Sequence, residues 1–331
     1  MPDPTSPEEV LKALNHLAVE GAVSESEFEE LYLHHFGPLG ATPGDAHQQW
    51  EALKARQEAE RLAARELAEQ MQAAIADVRP WDPLMDAGLA KTEVGKMRAL
   101  FNAAVDEARP EAAKEHRAVA SHLKDRIARE VGQRSGVGYV RADEFVASWA
   151  ATSNDHDRKS IALQVATAAK FGLEVPSYVA KMAAQFGPEP GFGKTKTEAR
   201  QFVDAMYDQT QDWLKSRGIK ELVLFRGMRH SIGADAAPVD AAAGPIPASV
   251  HLNPLNSWTA KYDTSYNFSE NQGYVLTARV PASKVIGCCF TGLGCLGEQE
   301  FVIAGGQGQQ VMAVANSKVR YTELTGGTWD A

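Results

Sequence analysis

The chain changes character after Gly218. Before that residue, apolar positions recur at three- and four-residue spacing. After it come short β-branched and aromatic runs separated by Gly, Pro, Asn and Asp. Glu221-Leu-Val-Leu-Phe225 is the first such run. Others fall at 250–252, 273–280, 284–290, 299–304, 310–314 and 318–323. A helical pattern over about two thirds of the length, followed by a β pattern, is segregation and not alternation. It predicts an α+β fold and argues against a doubly wound parallel sheet, whose strands each need a crossover helix.

Within the helical part, Ser6 precedes Pro7-Glu8-Glu9 as a cap, with Leu11, Leu14 and Leu17 following at helical spacing. Gly21 interrupts this pattern and Ser24 restarts it. Gly37-Pro38 and Gly40 to Gly44 read as a linker. Asp45 to about Val78 is one long amphipathic run, suited to a helix packed in a bundle and ended by Pro80 and Pro83. Residues 88–134 give two helices with a break at Pro110. Val137-Gly138-Tyr139-Val140 reads as a brief extended piece, and Asp143 to Ala150 as a helix. Thr152-Ser153-Asn154-Asp155 is a dense cap signal for the next helix, through Phe171, and another spans 176–186. Gly187-Pro-Glu-Pro-Gly-Phe-Gly193-Lys194-Thr195 mimics a phosphate-binding loop and fails as one. Gly187 is one residue too far from Gly193, no apolar strand precedes it, and Pro188 and Pro190 stiffen it. It reads as a linker in which Thr195 caps a helix running to about Ser216.

Composition bounds the function classes. The 331 residues suffice for two or three domains, and a 44% hydrophobic and 23% charged content is ordinary for a globular protein. No apolar run approaches the ~20 residues of a membrane helix. No basic region followed by an apolar run opens the chain, so the expected location is cytoplasmic, of the producing or a target cell, with no membrane partner. The net charge of −9 is concentrated: residues 1–50 hold nine acids and one base. No strongly basic stretch marks a nucleic-acid surface. The acidic end suits a solvated helical face or a basic partner such as an inhibitor or carrier protein. Cys288, Cys289 and Cys295 form neither a disulfide framework nor a zinc spacing, and His34-His35 reads as surface, so no metal site is expected.

Three features of the β-rich part carry chemistry. The strand Leu222-Val-Leu-Phe225 ends in Arg226-Gly227. Asn256-Ser257-Trp258-Thr259 follows, with Phe268 further on. Last comes Glu298-Gln299-Glu300-Phe301-Val302-Ile303. A guanidinium grips phosphate through a planar fork, and a glycine lets a ligand approach the backbone. Ser257 and Thr259, two apart on a strand, share a face. By the same rule Glu298 and Glu300 project side by side, one to stabilise developing positive charge on a sugar and one to act as base. Phe268 can stack on a flat heterocycle. Each feature alone has a bland account: a surface turn, a helix cap, a solvated edge strand. In this order they suit gripping a dinucleotide and breaking its glycosidic bond.

The set resembles the Arg–Ser–Glu class of mono-ADP-ribosyltransferases, which includes binary-toxin enzyme subunits and bacteriophage transferases. Leu224-Phe225-Arg226-Gly227 is similar to the family's aromatic-Arg-Gly motif, Ser257-Trp258-Thr259 to its Ser-Thr-Ser motif and Glu298-Gln299-Glu300 to its Glu-x-Glu motif. The match covers roughly residues 140–325, so the resemblance implies a helical accessory or partner-binding region at 1–135 and a catalytic domain at 136–331. It implies helices followed by two packed, mainly antiparallel sheets around an NAD cleft, with NAD as substrate. By the resemblance Arg226 holds the NAD diphosphate and Gly227 the nicotinamide amide. Ser257 supports the ribose pocket, Thr259 braces the catalytic strand and Phe268 stacks on nicotinamide. Glu300 binds the ribose 2′-hydroxyl, and Glu298 orients or deprotonates the acceptor. Glu-x-Glu goes with arginine as acceptor, so a protein is favoured over a nucleic acid. The loop before Glu298 lacks the aromatic many members use for target recognition; the nearest is Phe290. The alternatives are an NAD glycohydrolase, a nucleic-acid-directed transferase, and a virion or scaffold protein with a degenerate transferase domain.

Overall fold

The computed structural model describes residues 6–19, 23–75, 78–81, 87–109, 116–152, 157–229, 245–269 and 273–315. The chain divides into two compact units, Met1–Gln70 and Met71–Ala331. The resemblance implies a division after residue 135. Met97, Phe101, Val119 and Leu123 share one buried cluster with the strand residues Leu222, Leu224 and Phe301, so the segment before 135 contributes to the core of the second unit.

In the first unit, α1 (Pro7–Val19) and α2 (Glu25–Phe36) pack with the start of α3 (Pro43–Ile75). Ser24 and Glu27 form a reciprocal capping box at the start of α2, which satisfies its first backbone N–H groups. Leu14, Phe28 and Tyr32 make the core, and Trp50 of α3 meets Phe28 at 5.3 Å. The expected linker is in part a short 3-10 turn, Gly37–Leu39. His34 and His35 are exposed, as read.

The second unit carries β1 (Arg79–Pro80), then helices α4 (Ala87–Ala108), α5 (His116–Ser135), α6 (Tyr139–Thr152), α7 (Arg158–Phe171), α8 (Ser177–Phe186) and α9 (Phe192–Ser216). The β-rich end follows: β2 (Glu221–Met228), β3 (Ile246–Thr259), α10 (Tyr262–Ser269), β4 (Tyr274–Pro281), β5 (Val285–Cys288) and β6 (Glu300–Ala315). This is the α+β segregation expected from the pattern. No helix among the described residues is long and apolar enough to cross a membrane.

Several local readings are corrected. Residues 139 and 140 open α6 and are not extended; Gly138, at φ +82°, makes the turn before them. Asp157 caps α7, accepting from the backbone of Lys159 and Ser160, while 153–156 lie outside the described residues. Thr195 sits within α9 and donates to the Gly191 carbonyl at 3.1 Å; Gly191 itself holds the cap position. Pro83, Pro110 and the run 318–323 fall outside the described residues.

The strands form one network, ordered β1-β4-β2-β3-β6-β5, with a further β4–β6 pairing. Every pairing is antiparallel. The extra pairing closes β4, β2, β3 and β6 into a small four-strand barrel, where two separate sheets were expected. The cause is the length of β3 and β6, each read from sequence as shorter pieces. The Glu300–Ile303 end of β6 pairs with β5 and the end of β3. Its Met312–Ala315 end pairs with β4, and Met312 and Ala313 also face the start of β3. β3 is irregular between Val250 and Leu255, and Gly305 lies against that irregularity: a Cβ there would collide with the Asn253 carbonyl. A bulge opposite glycine bends both strands, so one strand serves both halves. Gln164 of α7 fixes the place, bonding the Leu255 N–H at 2.7 Å and its carbonyl at 2.9 Å.

Candidate active site

A cavity of about 540 Å³ opens where β2, β3, α6, α10 and the start of β6 meet. Arg226, Gly227, Ser257, Thr259, Phe268, Glu298 and Glu300 all line it. Every site residue read from the sequence is therefore brought to one hollow.

The register explains how. Thr259 stands opposite Glu300 across the β3–β6 ladder, and Ser257 opposite Val302. Alternation puts Ser257, Thr259 and Glu300 on one face, and Ser257 lies diagonal to Glu300, within side-chain reach. Its hydroxyl donates to Glu300 Oε1 at 2.5 Å. The Arg226 guanidinium donates through Nη1 to the Ser257 carbonyl, which ties the end of β2 to the same strand.

Glu300 is 4% exposed, a charge that burial makes costly unless donors surround it. Two donors besides Ser257 reach it. The Trp149 indole Nε1 donates to Oε1 at 3.0 Å, and the Cys295 backbone N–H to Oε2 at 2.7 Å. Burial raises the Glu300 pKa above its ordinary value; Ser257, Trp149, Cys295 and the Arg226 charge pull the other way without cancelling it.

Glu298 corrects the sequence reading. The strand begins at Glu300, and Glu298 belongs to a turn over Leu296–Gln299. Gln299 has φ +49°, a left-handed conformation uncommon for this residue type, so the two acids do not follow from strand alternation. The Thr259 hydroxyl holds the turn by donating to the Glu298 carbonyl at 2.5 Å. Among the described residues, no donor reaches the Glu298 carboxylate. Its pKa is raised, first by burial and then by the neighbouring Glu300 charge.

Gly227 has a packing role that its residue type did not announce. A Cβ there would lie 2.7 Å from the Ser269 backbone N and 2.8 Å from the Phe268 Cβ. The missing side chain makes room for α10, whose Tyr262 meets Phe225 edge-on at 5.3 Å. That packing leaves Phe268 44% exposed at the rim, a large aromatic face available to a ligand.

Two contributors escaped the sequence reading of the site. Trp149 falls in the stretch read from sequence only as a helix, and a buried tryptophan on a helix ordinarily reads as core. Cys295 acts through its backbone, which no residue type announces. Cys288 and Cys289 are buried, and burial pushes their thiols up. Four of the lining groups bear charge (Arg226, Arg229, Glu298, Glu300), and the aromatic rim and a volume within the range of small-molecule sites complete a hollow able to hold a polar, partly aromatic ligand. Comparison of the chain with family models, curated proteins and solved structures finds no match.

Proposed function

We propose that this chain is a mono-ADP-ribosyltransferase that moves ADP-ribose from NAD to a macromolecular acceptor, a protein arginine. One observation carries the reading. Arg226, Ser257 and Glu300, distant in sequence, line a single cavity, and Ser257 donates directly to the Glu300 carboxylate.

The chemistry follows from those groups. A diphosphate is held by the Arg226 guanidinium, which stays charged at any working pH. The nicotinamide ring stacks on Phe268. Cleaving the bond between ribose C1′ and nicotinamide sends the electron pair to the ring nitrogen and leaves positive charge spread over C1′ and the ring oxygen. A buried carboxylate that accepts a ribose hydroxyl stabilises that charge more strongly than it would in water. The acceptor nitrogen forms the new bond to C1′ and gives up a proton. Glu298 is suited to take it, since a carboxylate with a raised pKa is a better base.

The test is incubation with NAD labelled in the adenylate half and an arginine-rich polypeptide. The reading expects nicotinamide release matched by label on the polypeptide. Absence of both, with no NAD binding by calorimetry, would sink it. A second reading, hydrolysis of NAD by water, calls on Glu300 alone, which three donors hold in place. The cavity residues all belong to the second unit, and we assign a basic inhibitor, carrier or target to the acidic first unit.

A further inference from the structure

A carboxylate offers about four acceptor positions on its two oxygens. For Glu300 three are filled among the described residues. Oε1 takes two donors, Ser257 Oγ at 2.5 Å and Trp149 Nε1 at 3.0 Å. Oε2 takes one, the Cys295 N–H at 2.7 Å. The residue lines the cavity, and the position left over is on Oε2. We infer that Trp149 is a positioning residue: by filling the second position on Oε1 it leaves Oε2 as the single acceptor offered to substrate, so that one hydroxyl donor is recognised there.

Without the indole N–H, Oε1 would also have an open position. The carboxylate could then meet a ligand in two ways, and only one would be aligned for reaction. Trp149 is itself 2% exposed and packs among α5–α9 core residues including Phe145 and Phe202. Among the described residues, the ionisable groups around Glu300 are Arg226 on β2 and Arg229 just after it, Glu298 in the turn, and the thiols of Cys289 and Cys295 on the connection from β5; helix α6 contributes the Trp149 indole.

Trp149→Phe keeps a ring in the core and removes only the donor. This inference rests on the transferase reading for the rate measurement. There the expected result is a kcat lower by about tenfold or more, the scale of one hydrogen bond to a charged group, with KM for NAD within about threefold. The acid limb of the pH–rate profile should move to higher pH, because the ionised carboxylate has lost a donor. A merely structural role would lower the melting temperature and leave the limb in place, which would overturn the inference. A second measurement needs neither turnover nor a Trp149 variant. In ¹⁵N-labelled wild-type protein, one of the six tryptophan indole N–H signals should follow a carboxylate titration, and the same signal should stop moving in Glu300→Gln. If no indole signal follows such a titration, the inference is wrong whatever the substrate. If one does and NAD is not consumed, the transferase reading alone has failed.

Discussion

Glu300→Gln tests the centre of the site, and the structure sets its size. The amide keeps the shape of the carboxylate and removes its charge. It also brings an NH2 group into a ring of donors. In one orientation that group faces the Cys295 N–H, and in the other the Trp149 indole N–H. Either way one donor meets a donor, a mismatch worth about 1–3 kcal/mol. The larger loss is the missing charge opposite the developing ribosyl cation. The mismatch weakens ground and transition state alike and shows in stability, whereas the missing charge alone should cost about 3–4 kcal/mol in the transition state, or roughly 10²–10³ in rate. NAD affinity, measured by calorimetry, should change by less than about fivefold, since Arg226 and Phe268 are untouched. Nicotinamide release is the assay. A variant within tenfold of wild type would remove Glu300 from the chemistry.

The same variant carries a stability signature independent of turnover. Burial raises the folded-state pKa of Glu300 above the ordinary value of 4.5, so the folded protein binds that proton more tightly than the unfolded chain. The stability this brings is fully present below 4.5 and is lost as pH rises through the folded value. Glutamine binds no proton. The melting temperature of wild type minus that of Glu300→Gln should therefore rise as pH falls from neutral towards 4.5, then level off. A difference that moves the other way would mean that the three donors outweigh burial and hold the carboxylate ionised.

The neighbouring residues give separate outcomes. Glu298→Ala should reduce label transfer by about tenfold or more while nicotinamide release persists, as expected when an acceptor-side base is lost; equal loss of both would assign Glu298 to bond cleavage. Gly227→Ala should destabilise the second unit by about 3 kcal/mol, the upper end of overpacking costs, because its Cβ meets backbone atoms of α10. An unchanged melting curve with lost NAD binding would instead return Gly227 to the ligand. Phe268→Ala should raise KM for NAD by about fivefold to tenfold, the value of one stacking partner, with the melting temperature held because the ring is exposed. A large drop in melting temperature would make Phe268 a packing residue.

The β-rich part was legible because its chemistry sits on strands, where a period of two fixes which side chains share a face. That rule alone put Ser257 beside Thr259, and the pairing of Thr259 with Glu300 completed the set. The rule failed where backbone conformation departs from residue type. Gln299 gives no sign in sequence of a left-handed φ, yet that one residue takes Glu298 off the strand and into a turn. Pro247, Asn253 and Pro254 all fall within β3, which accommodates the last two at its irregularity between Leu252 and Leu255.

The fit between Glu298 and its proposed task depends on that failure. Had both acids followed strand alternation, they would stand side by side on the β6 edge and share one set of donors. The left-handed step separates them chemically. Glu300 is enclosed by three donors, while Glu298, half-buried at the cavity wall, has none among the described residues. One acid is thus held in a fixed place to oppose a developing cation, and the other is left unencumbered to accept a proton. Restoring an extended conformation at 299, for example with Gln299→Val, should pull the two together. A β-branched residue disfavours positive φ, so the variant should lose both the turn and the difference between the two carboxylates. Label transfer should then fall at least as far as in Glu298→Ala. Full activity in Gln299→Val would show that the kink is incidental to the arrangement of the two acids.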